Sequence, residues 1–207
     1  MGVGQALEIL QLFPNIREYS LILLTSCNDN ILLPISPLNL THFETLLVNI
    51  MDPMILDDLL PNINTPSLKN FTYHDKDFSI SCDTIITFLN HSGCLLNVFS
   101  LQYTSIDKMD ITLLLVTMPS LETLILGLLS MVSITSACQY NESITDRMLD
   151  ILSNTEDLSL HPDYGTFLPN LKSLEYTGFV MFSWEKIPLI FEEGRTKQNF
   201  SDSPATN

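Results

Sequence analysis

Leu68-Lys-Asn-Phe71-Thr-Tyr73, Leu96-Asn-Val-Phe99-Ser-Leu101 and Leu121-Glu-Thr-Leu124-Ile-Leu126 are one phrase, L-x-x-Φ-x-Φ, written three times with Φ apolar or aromatic. The starts lie 28 (96 − 68) and 25 (121 − 96) residues apart. In each copy the last two Φ positions are two apart, so both fall on one face of an extended strand and the residue between them faces the other way. An apolar helical segment separates each copy from the next. A single strand and helix bury too little surface to offset their ordering entropy, whereas neighbouring units that join their apolar faces share one core. Self-similarity at this spacing therefore implies stacked units.

The segments between the phrases carry a different period. Over Cys82–Leu89 the apolar residues Ile85, Ile86 and Leu89 fall at helical spacing, Ser81 or Asp83 is placed to cap the start, and Gly93 stands where a helix stops. Over Asp107–Met118, Ile111, Leu114, Leu115 and Met118 share one side, and Pro119 closes the helix. Strand, turn, helix, turn is the unit, and a period of roughly 20–29 residues is that of a leucine-rich repeat. The expected fold is α/β: an irregular leucine-rich-repeat solenoid of about six repeats, with short parallel strands on its concave face and helices on its convex face.

Working outward, Val3–Gln11 reads as a helix that Phe13-Pro-Asn15 ends before Ile16-Arg-Glu-Tyr19-Ser-Leu21, so the chain starts in the helical half of a unit. Leu40-Thr-His-Phe43-Glu-Thr-Leu46 is a weaker copy, 24 residues after Ile16 and 28 before Leu68. Its helix, Met54–Leu60, is short and bracketed by Pro53 and Pro61, and Pro34 and Pro37 imply an irregular crossing before it. Downstream, Ser143–Leu152 reads as an amphipathic helix, and the last phrase, Leu171-Lys-Ser-Leu174-Glu-Tyr176, comes 50 residues after Leu121 (171 − 121). The gap is read as one unit with two long loops rather than a degenerate strand at Glu156–Leu160, because His161-Pro-Asp-Tyr-Gly165 has turn composition. Trp184–Phe191 supplies the last helical stretch. Residues 1–194 are expected to form one leucine-rich-repeat domain starting mid-repeat, and 195–207 a disordered tail.

Composition narrows the function. The 207 residues are 45% hydrophobic and 16% charged, which suits a chain with a continuous core. Nine Lys and Arg against 24 Asp and Glu give a net charge of −15, so a polyanion meets repulsion in place of counterion release, and nucleic acid is set aside as a partner. Ile111–Cys138 has the length of a membrane span, but Pro119 and Gly127 interrupt it, Glu122 charges it, and the repeat phrase falls inside it in phase, so no membrane partner is expected. No signal peptide is visible, and Met1-Gly2 lacks the Ser or Thr that myristoylation wants, Ala6 standing there instead. The sequons at Asn39, Asn70, Asn90, Asn141 and Asn199 are read as by-products of Asn, Ser and Thr abundance. The widely spaced Cys27, Cys82, Cys94 and Cys138 form no C-x-x-C pair, which argues for reduced core thiols in a cytoplasmic or nuclear protein.

Catalytic patterns are weak. His42, His74, His91 and His161 each belong to a different unit or loop, and no G-x-S-x-G elbow occurs. His74-Asp-Lys-Asp77 reads as a polar loop at a strand end, since a metal needs ligands converging from separated positions. No cofactor, metal or catalytic residue is expected, and the chain is read as a non-enzyme. If the units stack, the residues between the apolar strand positions line the concave face: Glu18, Ser20, Glu44, Asn70, Thr72, His74, Ser100, Gln102, Thr123, Ser173 and Glu175. Tyr73 is placed inward and Tyr103 near the turn. That polar face is the expected protein-binding surface.

Phe13-Pro-Asn-Ile-Arg-Glu-Tyr-Ser-Leu21, Phe88-Leu-Asn-His-Ser-Gly-Cys94, Met118-Pro-Ser-Leu-Glu-Thr-Leu124 and Phe167-Leu-Pro-Asn-Leu-Lys-Ser-Leu-Glu-Tyr-Thr-Gly178 together resemble the leucine-rich-repeat region of fungal, mushroom-type F-box proteins. Ser143-Ile-Thr-Asp146 is similar to the helix start of that family's cysteine-containing repeats. The resemblance implies a protein–protein interaction scaffold like the substrate-recognition part of an F-box ubiquitin-ligase subunit, its partner an unknown protein substrate. No F-box phrase, L-P-x-E-[IL]-[LW]-x-x-I-[FL], occurs here, so a Skp-type adaptor is a partner only if an F-box is supplied upstream. The Asn or Cys that usually follows the strand is replaced by Thr104, Leu129 and Phe179, which implies irregular curvature without an asparagine ladder. The alternatives are a truncated or decayed repeat protein with only a structural role and, after it, an enzyme whose site is built from loops such as 126–143 or 161–167.

Overall fold

The computed structural model describes residues 2–24, 34, 36–50, 54–75, 82–104, 108–128 and 168–177. The helix expected at Ser143–Leu152, the stretches Glu156–Leu160, His161–Gly165 and Trp184–Phe191, and the tail 195–207 lie outside them.

Six strands, β1 (Glu18–Leu24), β3 (Thr45–Ile50), β5 (Asn70–Asp75), β6 (Val98–Thr104), β7 (Thr123–Leu128) and β8 (Ser173–Thr177), form one sheet in the order β1-β3-β5-β6-β7-β8. Each neighbouring pair is parallel. A second, two-stranded parallel sheet joins β2 (Leu38–Asn39) to β4 (Ile63–Asn64), where Asn64 Nδ2 donates to Asn39 Oδ1 at 3.2 Å. This pairing begins directly after Pro37 and is not anticipated by the sequence. The helices are α1 (Val3–Leu12), α2 (Met54–Leu59), α3 (Cys82–Ser92) and α4 (Lys108–Val116). Pro61 does not simply end α2, because it sits in the first turn of a 3-10 helix, Leu60–Asn62, where a missing N–H costs nothing.

The register shows why the repeated phrase works. Tyr19, Leu46, Phe71, Phe99, Leu124 and Leu174 stand side by side across the six strands, as do Leu21, Val48, Tyr73, Leu101, Leu126 and Tyr176. Most of these side chains are buried in one cluster with Ala6, Leu7 and Leu10 of α1, Ile55, Leu56 and Leu59 of α2, Ile85, Phe88 and Leu89 of α3, and Ile111, Leu114 and Leu115 of α4. The helices therefore pack on the apolar face of the sheet. At its centre Phe71 meets Phe99 at 5.9 Å and Phe88 of α3 at 6.2 Å between ring centroids, both in tilted contacts that favour the ring quadrupoles. The four apolar residues assigned to one side of the Asp107–Met118 helix, Ile111, Leu114 and Leu115 of α4 and Met118 in the turn beyond it, are all buried.

A tight turn precedes five of the six strands of the large sheet. The N–H of Ile16, Phe43, Leu68, Leu121 and Leu171 donates to the carbonyl three residues back, on Phe13, Leu40, Thr65, Met118 and Leu168. Pro14, Pro66, Pro119 and Pro169 occupy the second position of four of these turns, where a fixed φ suits the backbone. Before β6 the same place is held by Gly93, which ends α3 with φ 60 and donates its N–H to Leu89 O. These turns correct the phase of the second unit. Leu40 is the buried first residue of the turn, and Phe43 begins the phrase as Phe43-Glu-Thr-Leu46-Leu-Val48. The steps from Ile16 are then 27 (43 − 16) and 25 (68 − 43) residues.

Ile111–Cys138 is broken by the end of α4, the turn at Pro119 and the start of β7. Among the described residues no helix is long and apolar enough to cross a membrane.

Candidate functional site

With helices against its apolar face, the sheet presents a second set of side chains on the opposite face, arranged in three rows by the parallel register. The first row is Glu18, Thr45, Asn70, Val98, Thr123 and Ser173; the second is Ser20, Leu47, Thr72, Ser100, Ile125 and Glu175; the third is Ile22, Asn49, His74, Gln102, Gly127 and Thr177. Ten of the eleven residues expected on this face from the sequence belong to these rows: Glu18, Ser20, Asn70, Thr72, His74, Ser100, Gln102, Thr123, Ser173 and Glu175. Glu18, Ser20 and Glu175 are exposed, whereas Ser100 is buried and the others are half-buried. Asn70 Nδ2 donates to Thr45 Oγ1 at 3.1 Å across two strands, and Gln102 Nε2 donates to Ser100 Oγ at 3.2 Å.

Glu44 is not in the rows. Once the phrase starts at Phe43, Glu44 precedes β3 and the residue between the two inward positions is Leu47. Thr45, Leu47, Asn49, Val98 and Ile125, together with Ile22, Gly127 and Thr177 of the third row, are the positions missed, and locating the turn before β3 would have found the first three. Asp75 departs from the loop reading of His74–Asp77, because it lies with His74 inside β5, and Lys76 and Asp77 fall outside the described residues. Tyr73 is fully buried, as expected, and Tyr103 lies where the β6–β7 register shifts.

Glu44 belongs instead to a ladder along the strand starts. The carbonyls of Arg17, Glu44, Lys69, Asn97 and Glu122 each accept two consecutive N–H groups from the next strand's start, at 2.7–3.0 Å. Because the backbone makes these bonds, they do not need an asparagine at a fixed place. Apart from neutral Asn97, the side chains along the ladder alternate in charge: Glu44 lies 4.0 Å from Arg17 and 3.1 Å from Lys69, and Glu122 lies 2.8 Å from Lys172. These exposed pairs contribute little stability, but they neutralise the three cations at this edge.

Burial tunes the titratable groups. It favours the neutral imidazole and so lowers the pKa of His74, and it raises the phenol pKa of Tyr19 and of Tyr176. The Cys94 thiol is pushed up to about 11 by burial, partly opposed by a backbone hydrogen bond, so it is protonated near neutrality and a poor nucleophile. Neither Cys82 nor Cys94 is in a disulfide, and Cys27 and Cys138 lie outside the described residues.

On the helical side, a groove of about 560 Å³ lies between α2 and α3, with Leu60, Pro61 and Phe88 beside Asp57, Asp83 and His91. The Thr84 hydroxyl donates to Asp57, and among the described residues no hydrogen bond joins His91 to either carboxylate. Among the described residues, too, no group of three or more His, Cys, Asp or Glu side chains is placed to hold a metal ion. Comparison of the chain with family models, with curated proteins and with solved structures finds no match.

Proposed function

We propose that this chain is a leucine-rich-repeat solenoid that captures another protein on the concave, polar face of its parallel sheet, in the manner of the substrate-recognition part of an F-box ubiquitin-ligase subunit. The observation that carries the reading is the register: six strands follow one another in chain order, with the same phrase aligned across each of them. Such a sheet offers a broad, pre-formed surface whose side chains vary from strand to strand while the inward residues stay apolar, which separates recognition from stability. Thr72 and Gln102 lie near its middle, where fully desolvated contacts contribute most to binding. No step of bond chemistry is assigned to the chain.

The test is a direct binding measurement with partners selected on the purified chain. Thr72→Arg, which projects a long charged side chain from the centre of the face, should abolish binding while leaving the melting transition in place. Binding that survives this substitution, but fails when the helical side is altered at Thr87→Arg, would move the site to the other face. A pull-down with a Skp-type adaptor should recover nothing directly, and a robust complex would refute that part of the proposal. A melt with no cooperative transition would favour the decayed, structural reading.

A further inference from the structure

The charges on the polar face are one-sided. Its three rows contain Glu18 and Glu175, one titratable His74, and otherwise neutral residues, with no Lys or Arg. Among the described residues, the cations beside it, Arg17, Lys69 and Lys172, lie just outside the face, each already set against Glu44 or Glu122. Among the described residues, therefore, Glu18 and Glu175 have no ion-pair partner, and both are exposed. The desolvation of His74 favours its neutral form, so it adds no compensating positive charge near pH 7.

These two carboxylates stand on the outermost strands, β1 and β8. Five inter-strand steps of about 4.8 Å place them about 24 Å apart, a span that an extended peptide covers in about seven residues. Between them the second row offers Leu47 and Ile125 on either side of Thr72 and Ser100. Resting on the binding reading above, we infer that the partner presents an extended basic segment: a Lys or Arg at each end and small polar or aliphatic residues between. A cation at each end meets a carboxylate without having to displace a resident one, and the aliphatic middle meets the two half-buried apolar side chains. An acidic segment would meet two like charges on a chain of net charge −15.

The experiment selects a random displayed library of peptides about twelve residues long, enough to cross the face, against the full-length chain. Binders are synthesised and their affinities measured by fluorescence anisotropy. The expected binders are net basic, with two cations separated by about seven residues, and raising the salt weakens them. The double substitution Glu18→Gln with Glu175→Gln should weaken them about tenfold, whereas the charge-matched pair Glu8→Gln with Asp83→Asn on the helical side should leave them unchanged. Circular dichroism melts of all variants confirm that the fold is kept. Binders that Thr72→Arg abolishes, but that are neutral or acidic or indifferent to the Glu18 and Glu175 changes, overturn the basic-segment inference and leave the binding face standing. A selection yielding no binder sensitive to Thr72→Arg overturns both.

Discussion

Phe71 and Thr72 are adjacent in β5, yet Phe71 has no exposed surface and touches two other aromatic rings, while Thr72 is half-buried in a row of mixed residues. The same contrast repeats in every strand of the sheet but β6, where Ser100 is buried on the polar face. On the helical face every unit supplies an apolar residue to one cluster, so size and shape are constrained by close packing. On the other face the residues in register with Thr72 are Ser20, Leu47, Ser100, Ile125 and Glu175, which share neither polarity nor volume. Positions that need only tolerate their neighbours are free to be chosen for a partner, whereas positions that fill the core are not.

The largest effect should come from the covered face. Phe71→Ala removes the ring between Phe88 and Phe99 and should cost about 3–5 kcal/mol in denaturant melts. Thr72→Ala, one residue away, should stay within about 0.5 kcal/mol. Equal losses at the two positions would break the contrast.

A smaller loss is expected where a polar group is buried on the helical side. Thr65 is fully buried and donates its backbone N–H to Ser92 Oγ at 3.2 Å. Ser92→Ala leaves that donor without its acceptor and should cost about 1–3 kcal/mol. If the melt does not move, another acceptor receives that N–H and the bond to Ser92 is not structural.

The ladder at the strand starts belongs to neither face, and should respond weakly. Glu44→Ala breaks two exposed ion pairs and should cost about 1 kcal/mol or less, a difference that shrinks in high salt. A larger, salt-independent loss would mean that the Glu44 side chain supports the turn itself.

His74 tests the polar face by pH. Its folded pKa lies below 6.5, so the unfolded chain takes up the proton first. The contribution of the neutral ring is then complete above pH 6.5 and is lost as the pH falls through 6.5 towards the folded value. An NMR titration of the imidazole should give a midpoint below 6.5, and His74→Gln should flatten that part of the pH–stability profile. A midpoint above 6.5 would mean that a negative partner outweighs desolvation there.

The N-terminal end sharpens the packing side of the contrast. Phe13 occupies the turn position that is buried at Leu40, Met118 and Leu168, yet it is 60% exposed, with Leu12 beside it at 73%. The same residue class in the same local turn is dry at three places and wet at one, so the turn by itself does not set burial.

What the sequence determined by itself was the period, the parallel strands it implies, the inward residues of each complete phrase, and the buried side of α4. These follow from local rules, because alternation of two and a helical spacing of three and four select one face of an element whatever packs on it. The α/β class with a parallel six-stranded sheet follows from the same signal. Tertiary structure decided the phase of the second unit, the short β2–β4 sheet, and which residues stand together on the polar face. Leu40 and Phe43 are both apolar and three apart, so the phrase fits either one. Only the turn bond from Phe43 to Leu40, and the pairing of Leu46 with Phe71, move Glu44 off the face and bring Leu47 onto it. Pairing between strands about 25 residues apart is a property of the assembled sheet, and no window of sequence contains it.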